Sequence, residues 1–176
     1  MHFVSDLISL FEQCFFAEYR TILVAGGEEP IYLPSTDNAP HRIVFTRDYF
    51  ASALHEVAHW CIAGEGRRRL PDYGYWYAPD GRSAEQQTEF ERVEVKPQAL
   101  EWLFSTACGT GFRVSADNLS SGLCASDQFK CRIAQQAQVY CRALPERPAR
   151  FIEALSAFYG VKHVLDPDRF QVAYLS

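Results

Sequence analysis

Five residues, His55-Glu56-Val57-Ala58-His59, constrain this chain more than any other feature of its sequence. Two imidazoles four residues apart meet on one face only if the segment is helical, and on a helix they can hold a single metal ion. The flanking sequence agrees. Apolar residues at Phe50, Leu54, Val57, Ala58, Cys61 and Ile62 recur at helical spacing, Asp48 is placed to cap the start, and Gly64 stops the run. Two histidines leave a tetrahedral or octahedral ion short of protein ligands, so the fold must bring a third from elsewhere in the chain. The extended metzincin pattern is absent, since Ile62 and Glu65 stand where it has Gly and His. A carboxylate further along is the natural third ligand. Glu94 and Glu101 are seven residues apart and would share a face if both lay on the helix entered at Pro97, and periodicity does not choose between them. Glu85, Glu89 and Glu91 are poorer candidates because the segment around them is polar all round.

The rest of the chain reads as one α+β domain over residues 1–176, a small mixed sheet packed with helices around the metal-binding helix. At 176 residues, with 48% hydrophobic and 22% charged, it is long and apolar enough to build a core. A helix is expected from Val4 to Phe16. Short strands are expected at Ile31–Pro34 and Arg42–Thr46, paired antiparallel, after a turn at Gly26–Glu29. Ser83–Arg92 reads as a solvated helix, and Pro97 as the first turn of a separate one carrying Leu100, Leu103, Phe104 and Ala107. Phe112–Val114 reads as a further strand, and helices are expected around Gln128–Leu144 and Arg147–Tyr159, with Pro145 between them.

The net charge of −5 argues against a surface that neutralises many phosphates, so no DNA partner is expected. The N-terminal residues lack a basic region and a continuous apolar stretch, and no apolar run is long enough for a membrane span, so a cytoplasmic protein is expected. The six cysteines form no C-x-x-C pair and read as buried free thiols. Arg67–Arg69 reads as a solvated helix end, and His2, His41 and His163 as surface or structural residues.

Blocks along nearly the whole chain resemble the bacterial elongation factor P hydroxylases. They are Glu29-Pro30-Ile31-Tyr32-Leu33-Pro34, the stretch Ala51 to Gly64 around the two histidines, Asp72-Tyr73-Gly74-Tyr75-Trp76-Tyr77-Ala78-Pro79-Asp80-Gly81-Arg82, Val93-Glu94-Val95-Lys96-Pro97-Gln98-Ala99-Leu100, Asp117-Asn118-Leu119 and Pro145 to Ile152. The region Leu123–Arg132 departs from the family. The resemblance implies an enzyme that hydroxylates a lysine of translation elongation factor P after that lysine has been extended with a β-lysyl group. It implies a metal-dependent α+β fold shared with a bacterial ribonuclease and unlike the double-stranded β-helix of most iron oxygenases. It also implies His55, His59 and Glu94 as the metal ligands.

Two histidines and one carboxylate leave open positions on an octahedral ion, the arrangement of non-haem iron oxygenases, so Fe(II) with O2 as co-substrate is expected. Glu56 is the expected catalytic residue, orienting water or relaying a proton beside the metal. A doubly cationic substrate calls for carboxylates and aromatic faces. Tyr75, Trp76 and Asp80, within the aromatic run Tyr73–Tyr77 and the turn after it, are the expected substrate-binding residues; the alternative is that these aromatics pack in the core. No 2-oxoglutarate or flavin motif identifies the source of electrons. The competing classes are a zinc metallopeptidase, with Glu56 as general base, and a binding module that does not depend on the histidines.

Overall fold

A computed structural model describes residues 1–72, 82–115 and 125–175. The elements run α1 (Val4–Tyr19), β1 (Thr21–Gly27), β2 (Ile31–Leu33), β3 (His41–Thr46), α2 (Phe50–Ile62), α3 (Ala84–Cys108), α4 (Asp127–Arg142) and α5 (Glu146–Tyr159). The three strands form a mixed sheet in the order β1-β3-β2. As expected, β2 pairs antiparallel with β3. β1 was not expected: it pairs parallel with β3, Leu23 beside Ile43 and Val24 beside Val44. The alternation of buried Thr21 and Leu23 with half-buried Ile22 and Val24 follows strand pleating. The signal is only a few residues long and abuts α1, which hides it. The expected turn at its end begins with Gly26, which has a φ of 97° inside the last residues of β1.

One hydrophobic core joins these layers. α1 presents Leu7, Leu10, Phe11 and Phe15. Phe11 and Phe15 meet Trp60 of α2 and Phe151 of α5 at ring separations of 4.9 to 6.1 Å. α3 packs against α2, α4 and α5 and is the axis of the helical layer.

α3 corrects the largest expectation. Ser83–Arg92 and the segment after Pro97 are one helix of 25 residues, with Pro97 buried inside it. Proline removes one main-chain donor and crowds the carbonyl four residues back, so the sequence argues for a break there. Packing on three sides holds the helix through that position. A reciprocal capping box between Ser83 and Gln86 starts it, and Gly109, at a φ of 69°, ends it. Buried polar residues at Gln87, Glu94, Gln98, Glu101 and Ser105 form one stripe along its length. A helix apolar on some faces and polar on a buried one shows almost no amphipathic signal, which is why its N-terminal half reads as solvated.

Smaller corrections have equally local causes. Asp48 does not cap α2; the N-cap is Tyr49, without a side-chain hydrogen bond, and the helix start is tied to β3 by Thr46 N–H donating to Ser52 Oγ at 3.1 Å. Phe112–Val114 is not a strand. The segment is held instead by Ser115 N–H on Gln98 Oε1 at 3.1 Å and by Phe112 stacked on Trp102, leaving no sheet edge to join. Cys61 and Cys108 are buried free thiols, but Cys131 is exposed on α4; Cys124 lies outside the described residues. Arg67–Arg69 forms a 3₁₀ turn. Arg68 is not merely solvated, since its guanidinium sits over Tyr19 and Trp60. His2 and His41 are structural: His2 Nε2 bonds Cys108 O at 2.7 Å, and His41 Nδ1 meets the Tyr32 hydroxyl at 2.7 Å. Among the described residues no helix is long and apolar enough to cross a membrane.

Phe151 is fully buried and touches Phe11, Phe15 and Phe104. Phe151→Ala is expected to destabilise the fold by about 3 to 5 kcal/mol, the usual penalty for an emptied aromatic site. Urea unfolding followed by circular dichroism measures it; a loss under about 1 kcal/mol would mean that the core collapses around the gap.

Candidate metal centre

α2 buries Ala53, Leu54, Val57, Ala58, Trp60 and Cys61 on one side, and that burial turns His55, Glu56 and His59 toward the opposite side, where the polar stripe of α3 faces them. The last turn of α2, which carries His59, is fixed from outside the helix. Arg147 donates to Trp60 O at 3.0 Å and to Ala63 O at 2.7 Å, and Arg68 donates to Ala63 O at 2.8 Å. Two guanidinium groups on the final carbonyls also oppose the negative end of the helix dipole.

Across the α2–α3 interface, His55 Nε2 and His59 Nε2 lie 3.0 Å apart. His59 Nε2 is 3.2 Å from Glu94 Oε1 and His55 Nε2 is 3.5 Å from Glu94 Oε2. One ligand atom from each of the three falls within 4.8 Å of the others. Two ligand atoms each ~2.1 Å from one ion stand ~3.0 Å apart at a right angle and ~3.4 Å apart at a tetrahedral one. The observed spacings therefore suit three ligands on one face of a single ion. The donor set, two imidazoles and a carboxylate, suits a divalent transition metal.

The two glutamates that periodicity could not separate differ in position. Glu94 faces both histidines; Glu101 Oε2 lies 2.8 Å from His55 Nδ1, on the far side of that ring. A carboxylate at Nδ1 keeps a proton there and fixes Nε2 as the nitrogen directed at the cluster. Burial disfavours the charged form of His55, but the Glu101 hydrogen bond and the charges of Glu101, Glu94 and Glu56 outweigh it and hold the imidazole pKa well above its usual value. Burial likewise pushes Glu94 up, and the facing His59 and His55, with hydrogen bonds from His59 and Gln98, bring it down to about 2. Glu56 goes the other way: burial raises its carboxyl pKa against the pull of the two histidines.

Gln98 was missed at the sequence level. Fully buried, it donates from Nε2 to Ser115 O at 2.7 Å and to Glu94 Oε2 at 3.4 Å, so it orients Glu94 and pins the chain after α3. Its position four residues after Glu94 and three before Glu101 was the available signal. Tyr75, Trp76 and Asp80, the expected substrate-binding residues, lie outside the described residues.

The chain matches the family model described as elongation factor P hydroxylase over residues 10–170. It is also 49% identical over 173 residues to the elongation factor P lysine hydroxylase of Haemophilus influenzae, an alignment covering 97% of both chains.

The geometry separates the roles of the two glutamates. Glu94→Ala is expected to abolish metal binding, and Glu101→Gln to weaken it by about 10- to 100-fold, the usual effect of losing a partner behind a ligating histidine. Metal titration of the purified variants, with circular dichroism to show that both are folded, measures this. Full occupancy in Glu94→Ala with complete loss in Glu101→Gln would make Glu101 the ligand.

Proposed function

Because this chain belongs to the elongation factor P hydroxylase family, we propose that it hydroxylates a lysine of translation elongation factor P, one extended beforehand with a β-lysyl group, in the cytoplasm. What supports this reading is the convergence of His55, His59 and Glu94 from two helices onto one point. These three residues hold the metal, within a single catalytic domain. A redox-active iron bound there supplies the activation of O2 that insertion of oxygen into a C–H bond requires. One oxygen atom enters the substrate and the other leaves as water, with two electrons and two protons consumed.

The chain's own groups prepare that chemistry. Glu101 holds the Nδ1 proton of His55, so the Nε2 lone pair is presented without rotation of the ring. Gln98 holds Glu94 in place from behind. Glu56 stands in the cleft beside His59, where a carboxyl can take up and return a proton next to the reacting centre. Burial of the cluster between α2 and α3 limits the access of water to the reacting atoms. Family membership leaves the peptidase reading without support, although the same ligand set serves zinc enzymes.

One experiment separates the two chemistries. Zinc has a filled d shell and cannot change oxidation state, so replacing the metal removes redox chemistry while leaving ligands and cleft in place. Iron-loaded protein in the presence of O2 is expected to add the mass of one oxygen atom to lysylated elongation factor P. Zinc-loaded protein, or iron-loaded protein without O2, is expected to add none, and His55→Ala and His59→Ala are expected to be inactive but folded. Mass spectrometry of the elongation factor reads all arms. Backbone cleavage by the zinc form without O2 would replace the hydroxylase by a peptidase.

A further inference from the structure

A cleft opens beside the cluster of His55, His59 and Glu94, with His59 common to both. α2 contributes His59 and Glu56, and the edge of the sheet contributes Tyr32 and Asp72. Asp72 is not on a free loop. Tyr32 N–H donates to Asp72 O at 2.6 Å and Asp72 N–H donates to Tyr32 O at 3.0 Å, an antiparallel bridge that extends the sheet one residue beyond β2. The backbone of Asp72 is thereby fixed while its carboxylate borders the cleft.

Among the described residues, the aromatic rings of the cleft are already engaged. Trp60 is covered by the guanidinium groups of Arg147 and Arg68, at 4.8 and 5.9 Å, and Tyr32 stacks on His41. Arg68 is further committed to Ala63 O. Among the described residues, recognition of a cation in this cleft therefore falls to carboxylates. Glu56 stands next to His55 in sequence, which leaves Asp72 as the other carboxylate among the described residues that line the cleft. Its partner is Arg67. The Arg67 side chain is 49% exposed and that of Asp72 21%, so the pair sits at the rim, where an ion pair is weak and exchangeable.

We propose that Asp72 binds an ammonium group of the extended lysine, exchanging Arg67 for the substrate cation, and so sets specificity for the lengthened side chain. The assignment rests on the hydroxylase reading for the identity of the substrate. A carboxylate that meets a remote ammonium stabilises ground and transition states alike, so its loss acts on KM and leaves kcat alone. Arg67 competes for the same carboxylate, so its removal favours the substrate.

The test measures hydroxylation kinetics, and calorimetric binding of lysylated elongation factor P, for metal-loaded wild type, Asp72→Asn and Arg67→Gln. Asp72→Asn is expected to raise KM and Kd about tenfold with kcat within about twofold, and Arg67→Gln to leave KM unchanged or lower it. Equal metal content in the three proteins shows that the cluster is intact. Unchanged KM and Kd in Asp72→Asn would overturn the assignment while active wild type upholds the hydroxylase reading. A raised KM in Arg67→Gln would also overturn it, and would give the cleft to an anionic group. Wild type that binds the lysylated factor through Asp72 without hydroxylating it would overturn the hydroxylase reading and uphold this one.

Discussion

The buried polar contact between α2 and α3 is the constraint on which the rest depends. Glu94 and Glu101 are both buried, and a buried carboxyl group left without a partner costs several kcal/mol. They are compensated by the imidazoles of His55 and His59 directly opposite. Neither helix can slide or rotate against the other without separating these groups. The pairing that shapes the candidate metal centre thus also fixes the register of the two central helices.

The long, uninterrupted course of α3 follows from the same contact. Glu94 lies three residues before Pro97 and Glu101 four after it, so a break or sharp kink at the proline would point one of them away from α2. Continuous packing against α2, α4 and α5 holds the helix through the lost hydrogen bond, and Gln98, one residue beyond the proline, ties it to Ser115. A helix buried on several faces carries its polar residues inward, and the functional stripe is made of those residues.

The sheet is small, but it determines what stands beside the metal centre. β3 leads directly into α2, and the bond from Thr46 N–H to Ser52 Oγ sets the direction in which that helix leaves the sheet. β2 and the bridge to Asp72 then bring a second edge up to the same helix. The space between them is the cleft. The arginines gathered there serve mainly to hold structure: Arg68 and Arg147 secure the end of α2 and cover Trp60.

The sequence by itself determined that His55 and His59 share one face of a helix, because a five-residue pattern at the helical repeat carries its own geometry. It also determined the α+β class, the β2–β3 pair and the C-terminal helices, each set by local periodicity and turn residues. The matching blocks marked the family and, through it, Glu94. Periodicity alone could not separate Glu94 from Glu101, since residues seven apart on one helix are equivalent until another helix packs against them. Only the tertiary structure decided that Glu94 faces both imidazoles while Glu101 stands behind one of them. It alone showed β1, whose partner lies some twenty residues away in sequence, and the bonds of Gln98 to Ser115 and of Asp72 to Tyr32, which are long-range. A side chain's spacing along its own element fixes which residues share a face; what that face meets depends on packing between elements distant in sequence.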